Sequence, residues 1–153
     1  MKTKTIVMTV ALCFVAVAVA FANPNMGTWK LNEAKSKFPP GVTKNTTVVY
    51  EAAGDSVKVT VDGVTADGKP THSEWTGKFD GKDYPLAGDP SADTRSYKTM
   101  GDRNMELTNK KGGKITSTGK IAVSADGKTR TVTVSGTDAK GMKMEYTAVY
   151  DKQ

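Results

Sequence analysis

Asp-Gly-Lys occurs three times in this chain, at 67–69, 80–82 and 126–128, each time between stretches of alternating residues. An Asp-Gly step supplies the positive φ that a tight primed turn needs, so between alternating segments it marks a hairpin tip. Gly54-Asp55, Gly112-Gly113 and Lys140-Gly141 punctuate the rest. Turn signals at this spacing belong to an all-β barrel or sandwich. The segments between them repeat with period two. Val57, Val59 and Val61 share one face, with Lys58, Thr60 and Asp62 opposite. Ile115, Ile121 and Val123 line one side of 114–124, and Val132 and Val134 oppose Thr131, Thr133 and Ser135. Met142, Met144, Tyr146, Ala148 and Tyr150 face away from Lys143, Glu145 and Thr147. One dry face and one wet face is the pattern of an antiparallel sheet.

This rhythm predicts strands over 26–32, 44–52, 56–62, 70–78, 82–86, 93–100, 103–109, 113–124, 129–137 and 141–151, of which 82–86 is the shortest. Residues 33–43 hold room for one helical turn before Pro39-Pro40-Gly41 stops it. No long amphipathic helix is present, which excludes a βαβ architecture. A sheet of this many strands must curl, split or close, and closure removes its exposed edges. We therefore expect an all-β, antiparallel up-and-down β-barrel of about eight to ten strands with no large helix. A membrane barrel would carry aromatic girdles and an apolar outer face. Here aromatics are few and the second face is rich in Thr and Lys.

Residues 1–22 read as a secretory signal peptide. Lys2 and Lys4 precede an apolar run from Ile6 to Ala20, and Ala20-Phe21-Ala22 has the form of a cleavage site. Cleavage there leaves 23–153 as a single domain, periplasmic or secreted, with no transmembrane span. The chain's one cysteine, Cys13, lies inside the leader. The exported domain is thus expected to hold together without disulfides and to do no thiol chemistry. The formal charge of +6 includes Lys2 and Lys4. The remaining lysines are spread over turn tips (Lys69, Lys82, Lys110, Lys111, Lys128, Lys140), which is no nucleic-acid footprint. They serve as solvated turns and protected edges, or they steer the protein toward anionic lipid or another acidic partner.

Gly27-Thr28-Trp29-Lys30-Leu31 resembles the opening strand of the lipocalins and fatty-acid-binding proteins, the calycin group. Thr147-Ala148-Val149-Tyr150-Asp151-Lys152 is similar to the closing strand of the fatty-acid-binding proteins. The chain also looks like the uncharacterised lipocalin-like secreted proteins of bacteria. The resemblance implies a barrel whose first and last strands meet, with Trp29 closing its floor, and a small apolar ligand inside. Two features depart from it. The helix–turn–helix lid of fatty-acid-binding proteins does not fit 33–43. Their carboxylate-binding Arg-x-Tyr is incomplete, because Ala148 stands where the arginine would be, two residues before Tyr150.

Several residues carry candidate chemistry. Trp29 and Trp75 either wall a cavity or fill a core. Arg95 shares a face with Tyr97 and Thr99, and Arg130 shares one with Val132 and Val134. An arginine on an apolar face is costly unless paired. These two therefore either stand at the rim beside carboxylates or, with Tyr97, Tyr146 or Tyr150, hold a ligand's anionic head. Met142 and Met144 offer a soft, adaptable wall. His72 and Glu74 share a strand face, but two ligands do not make a metal site, and no metal or cofactor is expected. Asp89-Pro90-Ser91-Ala92-Asp93 begins like a calcium loop but has Thr94 and Met100 where glycine and glutamate are needed, so we read a proline turn with Asx hydrogen bonds.

These features predict a monomeric, non-enzymatic exported binder of a small, mainly apolar, lipid-like molecule. Its lumen would be lined from Val57, Val59, Trp75, Tyr97 and Leu107, and across from them by Ile121, Val132, Met144 and Tyr146. A packed interior would instead favour an envelope interaction or inhibitor module. An isomerase or a haem-dependent enzyme would have to use His72.

Overall fold

The computed structural model describes residues 23–138 and 140–153; the leader read at 1–22 lies outside them. All ten expected strands form, to within two residues at each end. They are β1 (Gly27–Leu31), β2 (Lys44–Ala53), β3 (Ser56–Val64), β4 (Pro70–Gly77), β5 (Tyr84–Ala87), β6 (Thr94–Thr99), β7 (Asn104–Lys111), β8 (Lys114–Val123), β9 (Thr129–Thr137) and β10 (Lys143–Lys152). Each strand is antiparallel to its neighbours in sequence. β1 also pairs with β10 through Trp29↔Lys152, Lys30↔Asp151 and Leu31↔Tyr150, so the sheet closes on itself. The protein is an all-β, ten-stranded, antiparallel up-and-down barrel. This is the architecture that the resemblance to the calycin group implies.

Period-two alternation sends the apolar set inward. Trp29, Tyr50, Val59, Trp75, Tyr97, Met105 and Ile121 are almost wholly buried, while Lys58, Thr60 and Asp62 stand outside. An apolar inside and a charged outside is the reverse of a lipid-facing barrel. The meander sorts the loops to two ends. One end carries the start of β1, the even-to-odd connections β2–β3, β4–β5, β6–β7 and β8–β9, and the C-terminus. Trp29 closes it, and we call it the floor end. The other carries the β3–β4, β5–β6, β7–β8 and β9–β10 connections and segment 32–43, and we call it the strap end.

The strap interrupts β1 and does not cap it with helices. After Asn32 the chain makes one 3-10 turn, Glu33–Lys35, with the Asn32 side chain accepting from the Lys35 amide at 3.2 Å. It then rejoins β10, where Lys37 and Thr147 exchange backbone hydrogen bonds of 2.7 and 3.0 Å. The Ser36 hydroxyl splices the gap, accepting from the Val149 amide at 2.9 Å and donating to the Asn32 carbonyl at 2.7 Å. Phe38 thereby lands on Tyr146, ring centroids 5.3 Å apart.

Two inward-face assignments need correction. Ile115 and Met142 are 61% and 65% exposed. A β-bulge between Asn109 and Lys110 sets Ile115 opposite Lys110 and so turns it to the outer face, while Met142 lies in the β9–β10 turn, just before β10 begins. The wall offered by Met142 therefore does not exist, and Met144, half-buried against the core, is the methionine that remains of it.

Candidate ligand site in the barrel lumen

The floor end of the lumen is an aromatic plug. Trp29 is fully buried and its indole N–H donates to the Asn25 carbonyl at 2.8 Å. Trp75, Tyr97, Phe79 and Tyr50 pack into one cluster. Trp75 meets Tyr97 edge-on at 4.8 Å and stacks with Phe79 at 6.3 Å, and Tyr50 lies 6.2 Å from Tyr97. These are the offset and edge-to-face distances that ring quadrupoles favour. Trp75 also bridges strands. β5 shares two register pairs with β4 and two with β6. Beneath it the Trp75 indole N–H donates to the Arg95 carbonyl at 2.8 Å, tying β4 to β6.

Arg95 and Arg130 lie inside the barrel, at 8% and 4% exposure. Each is the second residue of its strand with its side chain turned inward, and Arg95 stands beside a carboxylate, Asp89, whereas Arg130 has none within ion-pair distance among the described residues. Their surroundings differ. Arg95 Nε donates to Asn109 Oδ1 at 2.6 Å, Asn109 Nδ2 donates to Ser117 Oγ at 2.9 Å, and Arg95 Nη1 reaches the Tyr97 hydroxyl at 3.4 Å. Its nearest carboxylate is Asp89, 3.8 Å from Nη2. Arg130 instead sits among rings, 4.8 Å from the centroid of Tyr50, 5.4 Å from Tyr150 and 5.8 Å from Trp29. Its Nε and Nη1 are buried and make no hydrogen bond, and neither does the buried Tyr50 hydroxyl.

The hydroxyls around these cations keep their protons. Burial pushes Tyr50 and Tyr150 far above the usual tyrosine range, Arg130 pulling each the other way. Tyr146, half-buried below Phe38, is raised by burial as well, with Arg95 opposing. Guanidinium stays charged in any such setting. The lumen thus offers two cations, neutral hydroxyl donors and one carboxylate, Asp89. That carboxylate is partly committed to the Asp89–Ser91 Asx turn, where Oδ1 accepts from the Ser91 amide at 2.8 Å and hydroxyl at 2.6 Å. Such an arrangement has the chemistry to pair with an anion.

The structure brings Trp75, Tyr97 and Arg95 into one cluster and Trp29, Arg130 and Tyr150 into a second, with Tyr50 joining the two. Met144 and Tyr146 lie toward the strap end. The Tyr150 hydroxyl is taken by the Asn45 carbonyl at 3.0 Å. Tyr50, Asn109 and Ser117 went unnoticed in the sequence. The available signal was parity: Tyr50 alternates with Val48 on β2, and Asn109 and Ser117 occupy inward positions of β7 and β8. His72 stands on the outer face, Nδ1 2.6 Å from Asp62 and Nε2 3.5 Å from Glu74. Opposite ring nitrogens face the two carboxylates, so the three do not converge on one ion. Among the described residues no group of three or more His, Cys, Asp or Glu is arranged around a metal. Two surface clefts, of about 430 Å³ beside Phe38 and Pro39–Val42 and about 380 Å³ over Thr118 and Thr133, lie outside the lumen.

No family model matches the chain, and no curated protein does. Among solved structures it is similar to designed barrels. The redesigned β-barrel mFAP1, bound to DFHBI, is 15% identical, with 84% of this chain and 95% of that one covered and a TM-score of 0.44. The redesigned barrel mFAP0, also bound to DFHBI, is 14% identical over 84% and 99% of the two chains, with a TM-score of 0.45. A de novo designed fluorescence-activating β-barrel is 14% identical over 84% and 93%, with a TM-score of 0.41.

Proposed function

We propose that this protein is an exported, non-enzymatic binder that takes a small amphiphile into its lumen by an anionic head. The observation that carries this reading is Arg130: a guanidinium 4% exposed, with two N–H-bearing nitrogens that meet no acceptor. An orphaned buried donor costs about 1–3 kcal/mol, and more when charged. A carboxylate, sulfate or phosphate head at Arg130, Tyr50 and Tyr97 removes that cost, with Arg95 as the second cation. The tail then runs toward Met144, Tyr146 and Phe38 at the strap end, gaining roughly 25 cal/mol per Å² of buried carbon.

Thermal unfolding with decanoate and with decanol tests this. Decanoate at a hundred times its dissociation constant adds about 2.7 kcal/mol of stability, saturably. Decanol, with the same tail and no charge, adds far less, and Arg130→Gln abolishes the difference. Equal responses to acid and alcohol, or none to either, defeat the reading.

A second reading is favoured by the filled floor end and by clefts that lie outside the lumen: a protein-interaction module with a packed barrel. It requires a stoichiometric protein partner that co-purifies and survives Trp75→Ala.

A further inference from the structure

The tips of the β7–β8 and β9–β10 hairpins stand side by side at the strap end. Ser117 pairs with Gly136 and Lys143 with Thr137, which puts Ile115, turned outward by the bulge opposite Lys110, and Met142, in the β9–β10 turn, both within the last few residues at the strap end. Both are large, apolar and more than half exposed. Lys111 and Lys114, cross-strand partners, flank the first, and Lys140 and Lys143 flank the second. All four lysines are exposed, and among the described residues none is in an ion pair. Two carboxylates beside these tips, Asp93 of the β5–β6 connection and Asp138, accept backbone hydrogen bonds from them. Asp93 Oδ2 accepts from the Gly112 amide at 2.9 Å, and Asp138 Oδ1 from the Lys140 and Met142 amides at 2.8 and 2.9 Å. The floor end is different. There Lys78, Lys82, Arg103 and Lys128 are interspersed with Asp55, Asp80, Asp102 and Asp126.

We infer that these two hairpin tips dock the barrel, strap end first, onto an anionic lipid surface. Unpaired lysines ringing two protruding apolar side chains match a bilayer interface in both respects. Ammonium groups meet lipid phosphates, and Ile115 and Met142 reach the acyl boundary just beneath. A soluble acidic partner would satisfy the lysines and leave the two apolar tips in water. The inference uses no residue of the lumen and stands or falls apart from the ligand reading.

The test is co-sedimentation of residues 23–153 with vesicles of phosphatidylcholine alone and of phosphatidylcholine mixed with phosphatidylglycerol. Binding is expected only to the mixed vesicles and is lost as salt is raised. Lys111→Gln, Lys114→Gln, Lys140→Gln and Lys143→Gln each weaken it roughly fivefold. Ile115→Ser with Met142→Ser weakens it about tenfold or more at constant charge. The matched floor-end set, Lys78→Gln, Lys82→Gln and Lys128→Gln, leaves it within about twofold. All these positions are exposed, and unchanged far-UV circular dichroism and melting point confirm that each variant folds. The inference is overturned by no binding to the mixed vesicles, by equal weakening from the floor-end set, or by indifference to Ile115 and Met142. Indifference to those two would assign the patch to an acidic polymer.

Discussion

Arg130 is the residue at which stability and function pull apart. Three ring contacts, each worth about 2 kcal/mol for a desolvated cation, act on Arg130. Burying a guanidinium without an anion costs several kcal/mol. The two effects nearly cancel and the unpartnered Nε and Nη1 tip the balance, so Arg130→Met is expected to leave the ligand-free barrel as stable, or up to about 2 kcal/mol more stable, in urea unfolding. A loss of several kcal/mol would mean that the rings alone satisfy the cation. His72 gives a second test at this scale. Hydrogen bonds to Asp62 and Glu74 hold its pKa above the ordinary histidine value of 6.5. A raised folded pKa adds stability that is fully present below the unfolded value and is lost as pH rises through the folded one. NMR titration of the His72 ring should therefore give a midpoint above 6.5, and Asp62→Asn should lower it. A midpoint at or below 6.5 in the unmodified protein would contradict the ion pair.

Among the strands, β8 and β9 meet at two glycines with different tolerance. A Cβ on Gly136 would stand 2.3 Å from the Thr116 carbonyl oxygen and 2.6 Å from the Ser117 Cα, both backbone. A Cβ on Gly119 would meet the Leu107 side chain at 2.9 Å, which can shift its rotamer. Gly136→Ala is thus expected to cost about 2–3 kcal/mol and Gly119→Ala about 1 kcal/mol, measured by chemical denaturation. Equal costs would show that the strand backbone yields as easily as a leucine. The spliced β1 gives the other element-scale test. Ser36→Ala removes the acceptor of the Val149 amide and should cost about 1–2 kcal/mol, with faster hydrogen exchange at Val149.

At the scale of the molecule, the strand pairing of greatest sequence separation joins β1 to β10. β1 and β10 are far apart in sequence, yet they pair directly. Such closure is entropically expensive and folds slowly. Ending the chain at Tyr146 removes the β1–β10 register pairs, together with the buried Ala148 and Tyr150. It is expected to abolish cooperative unfolding altogether, as read by tryptophan fluorescence in urea. A truncated chain that still melts in one sharp transition would show that closure is not what holds the barrel.

Strand positions, the antiparallel order, the strap too short for a lid and the Asx turn at Asp89 were all legible in the sequence. Each rests on a local rule: period-two alternation, Asp-Gly turns, a proline stop. Trp29 at the floor was legible through the Gly27-Thr28-Trp29 pattern, and Trp75 and Tyr97 as inward aromatics through parity. Parity could not see the bulge that turns Ile115 outward, nor that Met142 lies in the turn before β10, and so it placed both inside. Nor could it separate a rim arginine from a buried one, since Arg95 and Arg130 have the same spacing in either case. How far along its strand a residue sits inside the closed wall depends on stagger between strands distant in sequence. That stagger decided which cations were buried and which hydroxyls joined them.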